Sequence, residues 1–162
     1  MDPKSNTFSE LFVVLNTIRS LYRQLYDLEL SKRELLLKRD GTKLQQLLRA
    51  QEDLLREINR LESACEILLQ ELSRHYQIEI SRLSQLESLT QINSRIRQKL
   101  SALRLELQEL AVSLDNCARG NEAIIKDNMH FFRHMIEFLR ESSPTYGPGE
   151  QNRTALIIDA AV

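Results

Sequence analysis

The chain has 162 residues, a length suited to one domain. Its 22 basic and 23 acidic residues leave a formal charge of −1 with the signs interspersed. That pattern offers neither the concentrated basic face that nucleic acid requires nor the basic amphipathic helix that binds an anionic membrane. Trp is absent, and two of the three Pro and two of the four Gly fall after Ser142. Leu, Glu, Arg, Gln and Ser dominate the rest, a composition that favours helix over strand.

The opening stretch, MDPKSNTFSELFVVLNT, has no positive start, sustained apolar core or small-residue cleavage site, so no signal peptide is expected. Its longest apolar run, Leu11 to Leu15, is far too short to cross a bilayer. From there Leu11, Val14, Ile18, Leu21, Leu25, Leu28 and Leu35 alternate by three and four, with the stripe broken at Lys32. Leu15, Tyr22 and Leu36 widen the stripe beyond a bare dimer seam. This predicts a helix over about 5–39, ended by Asp40-Gly41, with Gly41 as its cap.

A second block carries Leu44, Leu47, Gln51, Leu54, Ile58, Leu61, Cys65, Leu68 and Leu72 at the same alternation. It predicts a helix over about 42–73, folded back on the first as an antiparallel hairpin. The register then fails, and residues 74–87 read as a connection with a short helix over 81–87. The third block keeps one heptad phase through Ile96, Leu100, Leu103, Leu107, Leu110, Leu114, Cys117, Asn121, Ile124, Asn128, Phe131, Met135 and Phe138. A helix over 88–141 would be about 80 Å long. Together the blocks predict an all-α fold, an elongated antiparallel three-helix bundle or coiled coil over 1–141, followed by a flexible C-terminal tail over 142–162.

Chemistry finds little purchase. Cys65 and Cys117 sit at apolar helical positions and make no disulfide framework, which points to a reducing, cytoplasmic setting. His130 and His134 share a helix face, with Glu137 one step on, but no further ligand completes a zinc site. The helical carboxylates fall mostly on faces expected to be wet. No phosphate loop, nucleophile elbow or Glu-x-x-His pair occurs. Neither a catalytic residue, a metal site nor a cofactor is assigned, and the expectation is a protein that is not an enzyme.

Three features point to binding instead. Asn121 and Asn128 interrupt the third stripe one heptad apart, either as a structural polar core that fixes register or, on a partly open seam, as amides that face a bound partner segment. Phe131, Phe132, Met135, Ile136, Phe138 and Leu139 make the densest apolar patch. One seam needs only Phe131, Met135 and Phe138, so Phe132, Ile136 and Leu139 spill round the helix. Either the start of the first helix, near Phe8 and Phe12, covers them, or they form an exposed patch with Phe132 and Leu139 as partner contacts. Finally, Leu156, Ile157 and Ile158 form an apolar tag beyond a Pro/Gly break.

The stretches RDGTKLQQLLRAQEDLLREINRLE, LDNCARGNEAIIKDNMHFFRHMIEFL and SPTYGPG, in that order, resemble the FlgN family of flagellar export chaperones. The matching positions are Leu54, Leu55 and Ile58, then Asn116, Asn121 and Ile124-Ile125, then Tyr146 and Gly147. The resemblance implies a cytosolic, non-enzymatic chaperone without nucleotide. Such a chaperone binds the hook–filament junction proteins FlgK and FlgL through its terminal helices, prevents their premature assembly and presents them to the flagellar type III export gate. On that reading Leu156, Ile157 and Ile158 contact cargo, and Tyr146 contacts cargo or gate. The competing readings are a structural coiled-coil adaptor or tether, and a peripheral membrane binder using the tail, which the tail's single Arg disfavours. Nucleic acid and stable membrane insertion are not expected. A surplus apolar face is compatible with a homodimer.

Overall fold

The computed structural model describes residues 3–142. Four helices follow one another: α1 (Pro3–Lys38), α2 (Gly41–Tyr76), α3 (Leu83–Ser88) and α4 (Ser94–Ser142). The fold is all-α, a helical bundle, with no strand among the described residues. The chain divides into two compact units between Ile124 and Ile125.

In the first unit, α1 and α2 form an antiparallel hairpin. Its turn is closed by Arg39, whose backbone is left-handed at φ 57°. The Arg39 and Asp40 amides donate back to the Leu36 and Leu35 carbonyls at 3.3 and 3.1 Å. Asp40 then caps α2, its carboxylate accepting from the Lys43 amide at 3.1 Å. The glycine expected to cap α1 does not do so. Gly41 has no positive φ and is the first residue of α2, because Arg39 has already absorbed the reversal.

The third period likewise begins later than expected. Residues 77–93 hold the connection, and α4 starts at Ser94 rather than at 88. At its start the Asn93 carboxamide oxygen accepts from the Arg95 amide at 2.8 Å. The chain between α2 and α4 spends its residues on burial instead: Ile80, Leu86 and Ile92 all enter the core. The Ile80 amide donates to Ser73 Oγ at 2.6 Å, and Gln85 Oε1 accepts from the Ser81 and Arg82 amides at 2.9 and 3.1 Å. Arg104 locks α3 to α4 by pairing with Glu87 at 2.6 Å, and the Arg97 guanidinium donates to the Leu89 carbonyl at 2.8 Å.

Within this unit α4 runs parallel to α1, since Arg19 meets Glu106 at 2.9 Å and Glu29 meets Asn121. One contiguous apolar cluster gathers Phe8, Leu11 and Leu15 from α1, Leu68, Leu69 and Leu72 from α2, and Leu100 and Leu103 from α4. The three connection residues close it. Leu11, Leu72, Leu86 and Leu100 are fully buried, each contributing about 1.5–3 kcal/mol by leaving water. The described part of the second unit, residues 125–142, is the C-terminal stretch of α4.

Candidate partner-binding segment and a buried polar node

Each of the three heptad stripes carries a polar interruption within the first unit: Lys32 on α1, Gln51 on α2 and Asn121 on α4. The fold brings the three to a single level around Glu29. Glu29 is only 3% exposed and Asn121 only 2%. The Glu29 carboxylate accepts from Lys32 Nζ at 2.9 Å, Gln51 Nε2 at 2.6 Å and Asn121 Nδ2 at 2.7 Å. Asn121 Nδ2 also donates to the Glu29 carbonyl at 2.8 Å, and its Oδ1 accepts from Arg33 Nε at 3.3 Å. Arg33 reaches on to the Cys117 carbonyl at 3.5 Å. It lies against Gly120, where a Cβ would stand 2.5 Å from its guanidinium.

Burial pushes the Glu29 carboxyl up, but the hydrogen bonds from Lys32, Asn121 and Gln51, with the Lys32 charge, outweigh it and hold the group below its ordinary 4.5. Gln51 Oε1 is buried with no protein hydrogen-bond partner. Toward the apolar end, Tyr22 donates to Glu62 at 3.0 Å. Burial and that carboxylate push its hydroxyl up to about 12. Burial, with Glu66 and Glu62, likewise pushes the Cys65 thiol up to about 11, which makes it a poor nucleophile.

In the second unit, Phe132 is 44% exposed and Leu139 55%. Ile125, Met129, Met135 and Phe138 are exposed with them. The Phe131 and Phe132 rings meet edge to face at 5.9 Å. The expected division, with Phe131, Met135 and Phe138 turned inward, does not hold: Phe131 is 47% exposed, as open as Phe132. Asn128 is half-buried here, so the two asparagines sit in different surroundings, Asn121 within the node and Asn128 in the second unit. His134 faces Glu137 at 3.7 Å, and no group of three or more metal-ligating side chains occurs among the described residues. Tyr146, Leu156, Ile157 and Ile158 lie outside the described residues.

The sequence profile of the FlgN protein family matches residues 1–154, nearly the whole chain. The chain belongs to the FlgN family. FlgN proteins are flagellar export chaperones, and the match joins the hairpin, the node and the aromatic segment in one family unit. No curated protein and no solved structure matches this FlgN chain. None of its described helices is long and apolar enough to cross a membrane.

What sequence reasoning missed is Glu29. Its signal was indirect, since a charged or amide residue on each of three apolar stripes calls for a common partner, and an acid beside the Lys32 break supplies it. The same reading missed Ile80, Leu86 and Ile92, whose spacing of six matches neither helix nor strand period.

Proposed function

We propose that this FlgN chain is a cytoplasmic, non-enzymatic chaperone that binds the hook-associated proteins FlgK and FlgL, keeps them from premature assembly and delivers them to the flagellar type III export gate. The observation that carries this reading is the family match over residues 1–154. The exposed aromatic and aliphatic run on α4 supports it, because a chaperone must offer apolar surface to hold an assembly-prone partner. Phe132 and Leu139 are the cargo contacts. Covering either contributes about 1.5–3 kcal/mol before the ordering cost is subtracted. Leu156, Ile157 and Ile158 extend the contact beyond the Pro/Gly break, and Tyr146 engages cargo or gate. A tail that orders only on binding gives up affinity per unit area and so favours release at the gate. The node residue Asn121 holds α4 on the hairpin within the first unit.

Size exclusion with light scattering, on the chain mixed with each purified hook–filament junction protein, tests the proposal. The chain alone reports at the same time whether it is a monomer or homodimer. The full chain is expected to form a complex. Truncation after Ser142 and the pair Phe132→Ser with Leu139→Ser are each expected to weaken it. Loss on truncation alone would assign the contact to the tail, and loss in the double variant alone would assign it to α4. No complex with any version would favour a structural coiled-coil adaptor.

A further inference from the structure

The interior of the first unit changes character along α4. At Leu100 and Leu103 the helix buries large apolar side chains in the contiguous cluster. Beyond Leu103, Leu107, Leu110 and Leu114 are only half-buried. The buried positions that follow among the described residues are Cys117 and Asn121, a small thiol and an amide. Closure at that end therefore depends on hydrogen bonds to Glu29 more than on apolar area. Such bonds are worth little net, yet they cost the whole desolvation penalty if one partner is lost.

We propose that the Glu29–Asn121 node is a release latch: residues around 114–121 of α4 open from the α1–α2 hairpin as a local unit while Leu100 and Leu103 stay docked. Lys32 and Arg33 from α1 and Gln51 from α2 are the charged and polar groups that hold the latch shut, each through Glu29 or Asn121. Leu25 and Ile58, buried and lying between the Arg19–Glu106 pair and the node, are the apolar surface that opening uncovers. Local opening of this kind requires less free energy than global unfolding, and the level with least apolar burial is where it begins.

The chain carries its own reporters. Cys117 is buried and its carbonyl accepts from Arg33, while Cys65 packs against the apolar cluster at the other end. Pulsed alkylation of the full chain, read at each cysteine by mass spectrometry, measures opening at both ends at once. Asn121→Ala should raise labelling of Cys117 roughly ten- to a hundredfold and leave Cys65 unchanged. Glu29→Gln, which keeps the volume and removes the charge, should give a smaller rise at the same site. An equal rise at both cysteines in Asn121→Ala and Glu29→Gln would overturn the proposal, since the node would then be an ordinary part of one cooperative core. So would no change at Cys117 in either variant.

Discussion

Two levels of the same three helices are held by different physics. At one, Phe8, Leu11, Leu72, Leu86 and Leu100 meet in an apolar cluster that the connection between α2 and α4 seals. At the other, Lys32, Gln51 and Asn121 converge on Glu29. The apolar level gains stability in proportion to area removed from water and tolerates no cavity. The polar level gains little net energy, but its donors and acceptors have only one mutually satisfying arrangement, so it sets the alignment of α4 on the hairpin. A bundle of plain heptads could slide by one repeat at modest cost; three polar interruptions that must meet forbid the slide.

The contrast can be broken most severely at the apolar level. Leu100→Ala should destabilise the first unit by about 2–5 kcal/mol, measured as a lowered urea midpoint by circular dichroism. Asn121→Ala strands part of the Glu29 carboxylate and should cost about 1–3 kcal/mol in the same experiment. Acid sharpens the comparison further. Because the folded state holds Glu29 below its ordinary 4.5, the node's contribution is present above that value and is lost as pH falls through the folded value. Urea midpoints taken across acid pH should fall more steeply for the native chain than for Glu29→Gln. At the hairpin turn, Asp40→Ala removes the α2 cap and should cost about 1 kcal/mol by denaturant titration. Smallest of all, Gly41→Ala should stabilise by about 0.4–1 kcal/mol, since Gly41 has no positive φ and an added Cβ would meet nothing within 4 Å. A loss of stability there would mean that the glycine does shape the turn.

The two levels also differed in how far sequence could reach them. The hairpin and the long third helix were legible because seven-residue periods persist over many turns. Asn121 was legible as an amide in an apolar phase. Glu29 was not, because it sits one step off its stripe among 23 acidic residues, and only tertiary alignment shows that three separate interruptions share it. The connection had no period to read, so its burial of Ile80, Leu86 and Ile92, and the start of α4 at Ser94, came from packing alone. Gly41 misled because Asp-Gly is a strong turn signal, whereas the left-handed residue is Arg39. In the aromatic segment, period placed Phe131 inward, yet Phe131 is as open as Phe132.

The most direct test of the contrast is native-state hydrogen exchange on the full chain, resolved along α4. Amides over 114–121 should exchange through a low-energy local opening, while those over 100–107 exchange only with global unfolding. Equal protection across both stretches would contradict the account and make the bundle one cooperative unit from the connection to the node.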